Sequence, residues 1–342
     1  MIRSWAMLLI VGLLSVGQAA RAQAPQRTPY RYLRVGNAAD VSVKPRAGYA
    51  LMGGGKDLDE AFKWLCDRAN GGDFLVVRAT GTDAYNPYVQ GLCKLNSVAT
   101  LIIPSKEAAM DPFVARTISH AGAIFIAGGD QANYINFWMG TPAQTALNDA
   151  IRRGVPIGGT SAGLAVMGEF AYTAQGDTPD GPDLDSKTAL ADPYNPRVAL
   201  VHGFLDIPAL RNIATDTHFA RRDRMGRLLV FLARLNEPGG YPGAVTLGFI
   251  RAIGIDEGAA VLLGSNGKAT VVGHANAYFL QPSSPPEVLR PHTPLSFAKI
   301  DVQRIAPGGE FNLSEWRGKS ERYTLSVDAG LIHSTQPNDV LY

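Results

Sequence analysis

The sequence predicts an α/β fold: a three-layer sandwich in which helices cover both faces of a mainly parallel central sheet. Short runs rich in Val, Ile and Leu recur at 74–77, 100–103, 123–127 and 155–158. Segments with helical spacing, such as 58–66 and 143–152, alternate with these runs. Strands that are apolar throughout and alternate with helices are typical of a parallel sheet buried on both sides. With 342 residues, 46% of them hydrophobic, the chain can form one large domain, with or without an extension.

The first residues have the layout of a secretory signal peptide. Arg3 gives a positive start, an apolar run follows from Ala6 to about Gly17, and small residues at Ala20 and Ala22 end it. The alternative is a membrane anchor, but a dozen apolar residues fall short of the ~20 that span a bilayer. We therefore expect residues 1–22 to be removed and the protein to be secreted or periplasmic, with no membrane attachment afterwards. Residues 23–47 are polar and rich in Arg and Pro, which predicts a linker with a loose N-terminal strand.

If the protein is exported, Cys66 and Cys93, the two cysteines of the chain, lie in an oxidising compartment. A disulfide can persist in an oxidising compartment, so a bridge between them is predicted, with two buried thiols as the alternative. No His or Cys lies at metal-ligand spacing, so no metal site is expected.

The main domain is predicted over residues 48–280. An apolar run at 48–52 opens it, and a region dense in Asp, Pro and Gly at 176–198 predicts a long surface loop. The segment 213–235 predicts a helix, and 253–255 a strand behind it. The runs at 259–263 and 269–272 predict antiparallel strands joined by a turn. Residues 281–342 predict a small β-rich extension, with strand-like segments at 301–305 and 323–327.

The segment Gly159-Thr160-Ser161-Ala162-Gly163 follows a predicted strand and precedes a helix-compatible run. A serine on such a sharp turn takes a strained backbone conformation that small neighbours permit. Its oxygen then protrudes at the carboxyl edge of the sheet, where the helix N-terminus favours a developing oxyanion. This context predicts that Ser161 is a nucleophile, whereas the pattern alone also occurs in ordinary glycine-rich turns.

A serine nucleophile needs a base, and histidine is the usual one. The histidines are His120, His202, His218, His274, His292 and His333. His218 has the most suggestive surroundings, although a single histidine is more often structural.

A second glycine segment, Gly128-Gly129-Asp130-Gln131, directly follows the predicted strand at 123–127. Glycines there let the backbone approach a ligand closely. The N–H groups of Gly129 and Asp130 could complete an oxyanion hole with that of Ala162. Alternatively, Asp130 caps the helix that follows.

Four segments in this order resemble the cyanophycinase and aspartyl-dipeptidase group of serine peptidases, peptidase family S51, which shares its fold with class I glutamine amidotransferases. They are Gly-Gly-Asp-Gln at 128–131, Gly-Thr-Ser-Ala-Gly at 159–163, Asp-x-His-Phe with the arginines after it at 216–227, and Gly-Ile-Asp-Glu at 254–257. The resemblance covers roughly residues 48–280.

The resemblance implies roles for individual residues. Ser161 is the expected nucleophile, His218 the general base and Glu257 the acid that orients the imidazole. Asp216 is the rival acid, but two residues apart on a helix its side chain would not face His218. The substrate-binding residues implied are Gln131, Asp216, Thr217, Arg222, Arg224 and Arg227. A guanidinium suits an aspartyl carboxylate, and the alternative for each arginine is a solvated helix face.

The implied reaction is cofactor-free cleavage of cyanophycin, a polyaspartate carrying arginine on its side chains, into β-Asp-Arg units. Thr217 stands where cyanophycinases often have glutamine, and the segments 176–198 and 236–246 would reshape the cleft. A general aspartyl dipeptidase is therefore the main alternative, and a non-catalytic binding protein on the same scaffold is another. An esterase of the α/β-hydrolase type is disfavoured because Glu257 follows the histidine.

The expected partner is a peptide or polymer substrate. The net charge of +2 argues neither for nor against a polyanion. The one basic cluster, at 221–227, fits substrate binding, so no nucleic-acid partner is expected. A homodimer is left open.

Overall fold

The computed structural model describes residues 28–177, 181–241 and 248–342. The predicted signal peptide at 1–22 lies outside the described residues, as do parts of the predicted loop at 176–198 and of the insertion at 236–246. The strands are β1 Arg31–Gly36, β2 Gly48–Met52, β3 Asp73–Arg78, β4 Ser97–Ile102, β5 Ala123–Ile126, β6 Ile157–Thr160, β7 Phe170–Tyr172, β8 Leu200–His202, β9 Ile213–Asp216, β10 Arg251–Ile255, β11 Ala259–Gly264, β12 Lys268–Gly273, β13 Ala277–Pro282, β14 Phe297–Ile305, β15 Glu310–Asn312, β16 Arg317–Gly318, β17 Glu321–Asp328 and β18 Leu331–Ser334.

Helices connect most of the early strands. They are α1 Asp59–Ala69, α2 Tyr85–Leu92, α3 Lys106–Met110, α4 Pro112–His120, α5 Gln131–Trp138, α6 Pro142–Arg152, α7 Ala162–Ala165, α8 Ser186–Ala191 and α9 Met225–Leu235, with short 3₁₀ turns at Pro208–Leu210 and Pro337–Asp339.

The first sheet has the order β1-β4-β3-β5-β6-β2-β11-β12-β15-β16. Its centre, from β4 to β2, is parallel, and the remaining pairs are antiparallel. Successive residues of β3 enter different cores: Leu75 and Val77 face one, Phe74 and Val76 the other. Burial on both faces explains why these strands are continuously apolar. The predicted α/β class and parallel centre are confirmed, but the sheet as a whole is mixed.

A second sheet, not predicted from the sequence, has the order β18-β17-β14-β13-β10-β9-β7-β8. Only the pairs β9–β10 and β7–β9 are parallel in its described strands. Helices α8 and α9 pack on it through their own apolar core. The strands after residue 281 join both sheets, so the C-terminal β-rich part is larger than the small extension that we predicted.

Two local predictions need correction. The segment 213–235 is not one helix: Ile213–Asp216 forms β9, paired in parallel with β10, and the helix begins at Met225. The predicted loop at 176–198 contains α8, whose first turn is capped by Asp185 accepting from the Thr188 N–H at 2.7 Å. The antiparallel pair β11–β12 is confirmed.

A disulfide joins Cys66 of α1 to Cys93, which follows α2, across a Cα–Cα distance of 6.1 Å. The predicted bridge is therefore present. In the described part of the chain no helix is long and apolar enough to cross a membrane. The same residues contain no group of three or more His, Cys, Asp or Glu able to hold a metal ion.

Candidate active site

Ser161 lies between β6 and α7, on a turn with φ 52° and ψ −121°. A non-glycine residue with positive φ is strained, and such strain persists only where the surroundings enforce it. Here the Ser161 N–H donates to the Met52 carbonyl at 3.2 Å on the neighbouring strand. A Cβ added at Gly163 would lie 2.0 Å from the Ile126 carbonyl oxygen, and one at Gly159 would lie 2.6 Å from the Gly163 carbonyl. Both glycines are therefore required by close backbone contact.

His218 lies within hydrogen-bonding distance of Ser161, with 2.7 Å between His218 Nε2 and Ser161 Oγ. The histidine follows β9 and also has a positive φ, 49°. Its N–H donates to the Gly53 carbonyl at 2.7 Å, and only 6% of its surface is exposed. The backbone of His218 is thus held by Gly53 in a position where its imidazole contacts Ser161.

Glu257 lies on the other side of the imidazole, with 2.6 Å between Glu257 Oε1 and His218 Nδ1. Asp216, the rival acid, is instead bound to Arg227. The structure therefore places Glu257 against His218, as favoured from the sequence, but our reason was wrong. Asp216 ends a strand and is not on a helix with His218, so helical spacing does not decide the question.

Opposing effects act on the charge of His218. Burial lowers the pKa of His218, the hydrogen bond to Glu257 raises it, and the nearby charges of Arg222 and Arg224 lower it, with a net decrease. The hydrogen bond from His218 lowers the pKa of the Glu257 carboxyl. At neutral pH the pair is therefore a neutral imidazole beside a carboxylate. This is the charge state in which Nε2 can accept the serine proton.

The glycine segment 53–55 forms the floor beneath His218 and Glu257, a role that we did not predict from the sequence. A Cβ on Gly54, whose φ is +100°, would lie 2.4 Å from His218 Cε1. The Asp256 carboxylate accepts a hydrogen bond from the Ala220 N–H at 2.8 Å, which joins the segment after His218 to the segment before Glu257. The three consecutive glycines were a signal for close backbone approach.

The predicted oxyanion loop lies beside Ser161, since a Cβ on Gly128 would be 3.5 Å from Ser161 Cβ. The Tyr134 hydroxyl donates to the Ala127 carbonyl at 2.7 Å and anchors this loop. Within the described residues, the N–H groups of Gly129 and Ala162 donate to no protein acceptor. The Asp130 side chain accepts from the Ala132 N–H at 2.9 Å, so it caps α5. Gln131 begins α5 next to this loop and is half-buried.

The other predicted substrate-binding residues divide into buried and exposed positions. Asp216 and Arg227 form a buried pair, with Arg227 Nε 2.8 Å from Asp216 Oδ2 and 1% of Arg227 exposed. This pair holds β9 to α9 and does not line a surface. Thr217 is also buried, and its oxygens accept from Arg224. Arg222 is half-exposed, and both Arg222 and Arg224 bind Asp183, a residue that we did not predict.

An α/β sheet with a strained serine, an imidazole and a carboxylate in one hydrogen-bonded series has the site architecture of a serine hydrolase. Residues 52–192 match the model of peptidase family S51; the match includes Ser161 and ends before His218. The predicted resemblance to this family is confirmed by that match.

Curated relatives agree with that match. The chain is 26% identical over 223 residues to the cyanophycinase of Trichormus variabilis, covering 63% of this chain and 65% of that relative. It is 30% identical over 152 residues to the cyanophycinase of Geminocystis herdmanii, covering 44% of this chain and 46% of that one. The chain thus spans less than two thirds of the length of either relative.

A solved structure shares the fold. The crystal structure of a peptidase from an acI-B1 Actinobacterium matches with a TM-score of 0.50 at 17% identity, over 79% of this chain and 98% of that one.

Proposed function

We propose that this protein is an exported serine exopeptidase that hydrolyses aspartyl amide bonds, with cyanophycin as the preferred substrate and β-Asp-Arg as the product. The observation that carries the proposal is the series from Ser161 Oγ to His218 Nε2, 2.7 Å, and from His218 Nδ1 to Glu257 Oε1, 2.6 Å. The curated relatives named above are cyanophycinases, which supports the choice of substrate.

In the proposed reaction Ser161 Oγ attacks the amide carbonyl carbon while His218 Nε2 takes the hydroxyl proton. The carbonyl oxygen becomes an oxyanion that accepts from the N–H groups of Gly129 and Ala162. The C–N bond then breaks, and His218 gives its proton to the leaving amine. Water attacks the acyl-enzyme by the same route and releases the new carboxylate. Glu257 holds the ring and stabilises the imidazolium in both halves.

Export is part of the proposal. The apolar pattern of residues 1–22 motivates it. The Cys66–Cys93 disulfide supports it, because disulfides persist in oxidising compartments.

The test is hydrolysis of insoluble cyanophycin, β-Asp-Arg and α-aspartyl dipeptides by the purified protein. We expect β-Asp-Arg to be released from cyanophycin, and Ser161→Ala to reduce the rate by about 10⁴-fold or more. Ser119→Ala, at an exposed serine near the end of α4, is the matched control and should retain full activity.

Other outcomes separate the alternatives. Cleavage of α-linked dipeptides alone would favour a general aspartyl dipeptidase. One observation favours that second candidate: Thr217 Oγ1 already accepts from Arg224 at 3.1 Å, so it offers less to a substrate than a glutamine would. No hydrolysis, together with no labelling of Ser161 by a fluorophosphonate, would indicate a binding protein and end the enzyme proposal.

A further inference from the structure

An acidic side chain, Asp183, pairs with two arginines whose charges act on His218. Asp183 Oδ2 accepts from Arg222 Nη1 at 2.7 Å, and the same oxygen accepts from Arg224 Nη2. Asp183 lies before α8, far from both arginines in the sequence. The contact is therefore one between two separate segments of the chain.

This arginine pair is adjacent to the site. The backbone N–H of Arg222 donates to the His218 carbonyl at 2.9 Å, and the guanidinium Nη1 of Arg224 donates to the Thr217 carbonyl at 3.0 Å. The side chain of Arg224 is only 7% exposed, and burial lowers the pKa of Arg224 to about 10. Its Nε is buried and has no hydrogen-bond partner among the described residues. A buried cation of this kind requires a carboxylate partner, from the chain or from a ligand.

The contact with Asp183 is one that a ligand could replace. The Asp183 side chain is 49% exposed and that of Arg222 is 46% exposed, whereas Asp216, the other carboxylate near Arg224, is buried and held by Arg227. The Arg222–Asp183 pair is half in water and contributes little net free energy. Buried Arg224 keeps a carboxylate partner throughout an exchange, because a ligand carboxylate takes the place of Asp183. Two carboxylates on the same guanidinium groups would repel each other.

We propose that Asp183 is a specificity-determining residue: in the free protein its carboxylate occupies the arginine pair that binds a substrate carboxylate, and an acidic substrate must displace it. This inference rests on the proposed function, because it takes Arg222 and Arg224 as the substrate carboxylate site. Displacement weakens the binding of any small carboxylate. A ligand that is also held at the oxyanion loop retains enough affinity to exchange with Asp183.

The test measures binding in a Ser161→Ala background, so that it does not depend on hydrolysis. The probes are succinate, which offers only carboxylates, and the dipeptide β-Asp-Arg, both titrated by calorimetry. We expect Asp183→Asn to lower the Kd of both by about three- to five-fold, the effect of removing one partly exposed competing charge. Asp183→Glu, which keeps the competing carboxylate, should stay within about two-fold of the parent.

The matched control is Asp206→Asn. Asp206 is 50% exposed and pairs with Arg211 at 3.5 Å, so the substitution removes the same charge from a similar pair. The control should leave both Kd values unchanged. Weaker or unchanged binding in Asp183→Asn would overturn the inference. If Asp183 merely held the arginines in place, its removal would lower the affinity for the ligand or leave it unchanged. Thermal unfolding of each variant verifies that it is folded.

The outcome is separable from that of the proposed function. In the active protein, Asp183→Asn should lower the KM for acidic substrates and leave kcat within about two-fold. Tighter succinate binding without any hydrolysis would support the role of Asp183 and reject the proposed peptidase activity. Hydrolysis with no gain in affinity would do the reverse.

Discussion

In the proposed mechanism the chemistry depends on His218, and the surroundings of this residue set its protonation. The ring is buried, Arg222 and Arg224 add positive charge nearby, and only Glu257 favours the protonated form. The net effect keeps the pKa of His218 low, so the imidazole remains an available base in mildly acidic solution.

The pH dependence of kcat/KM tests this balance. The rate requires neutral His218, so it should fall as pH decreases through the pKa of His218. We expect the midpoint of this acid limb below about 6.5, the ordinary histidine value. Glu257→Gln should reduce kcat by about 10³- to 10⁴-fold, because the ring loses its orientation and the imidazolium loses its counter-charge. The same substitution removes the contribution that raises the pKa, so the residual limb should move to lower pH.

The chain provides a matched control for that substitution. Glu169 Oε1 contacts His202 Nε2 at 3.1 Å, a histidine–glutamate pair without a serine partner in the described residues. Glu169→Gln should therefore leave the pH profile in place. An acid limb above 6.5, or equal losses from both substitutions, would contradict the assignment of Glu257.

The sequence predicted the serine better than the acid, for a physical reason. The turn at Ser161 is encoded by contiguous residues, a strand, a glycine pair and a helix start, all visible locally. Glu257 lies 39 positions from its histidine, and their contact depends on the pairing of β9 with β10. Nothing local to Glu257 specifies that pairing, so Glu257 was favoured by the family resemblance and by a helical-spacing argument that does not apply to a strand.

At the scale of elements, the site lies where the short segments that follow three strands come into contact. The glycine segment after β2, the turn after β9 and the turn after β10 meet at one place: the Gly53 carbonyl accepts from the His218 N–H, and the Gly54 carbonyl accepts from the Gly258 N–H at 3.1 Å. These contacts use backbone groups alone. The geometry of the proposed triad therefore depends on how closely these three chain segments approach one another.

Gly54→Ala tests this close approach. The new Cβ would lie 2.4 Å from His218 Cε1, so either the ring or the glycine segment must move. A displacement of about 1 Å at a catalytic group costs on the order of 10²-fold in rate. We expect kcat to fall by about that factor, with a smaller change in KM, as measured by steady-state kinetics on the best substrate.

Gly71→Ala separates the clash from backbone strain. Gly71 has φ +75°, and a Cβ there would meet nothing within 4 Å. This control should lose about 1–2 kcal/mol of stability through backbone strain and keep its kcat. If both alanine variants lost the same activity, general destabilisation would explain the result and the floor role of Gly54 would be rejected.

The sequence also predicted elements unevenly. The strands of the parallel centre were visible because each is apolar on both faces and flanked by helices. The segment 213–235 was misread because Ile213 and Ala214 fit a helix as well as a strand. Their pairing with Arg251 and Ala252 is a long-range fact. The second sheet was not predicted for the same reason, since several of its strands pair over long sequence distances and half of its strands have four residues or fewer.

At the scale of the whole molecule, the C-terminal residues close onto the histidine turn. The Met225 N–H donates to the Tyr342 hydroxyl at 2.8 Å, and that hydroxyl donates to Asp223 Oδ1 at 2.9 Å. The Tyr342 ring packs on Phe219, with 5.7 Å between ring centroids. The β-rich C-terminal part thus reaches the residue next to His218, which links the second sheet to the site.

Substitutions at Tyr342 test whether this contact positions the histidine. Tyr342→Phe keeps the ring but leaves the Met225 N–H without its partner, which should cost about 1–3 kcal/mol of stability. Tyr342→Ala also removes the packing on Phe219, so the turn should loosen and kcat should fall further while KM changes little. Tyr241→Phe is the control, because it removes a 2.8 Å hydrogen bond to the Leu200 carbonyl that does not involve the turn at His218. Denaturant unfolding measures the stability of each variant and steady-state kinetics its kcat. If Tyr342→Ala unfolded more easily but kept its kcat, the contact would stabilise the fold without positioning His218.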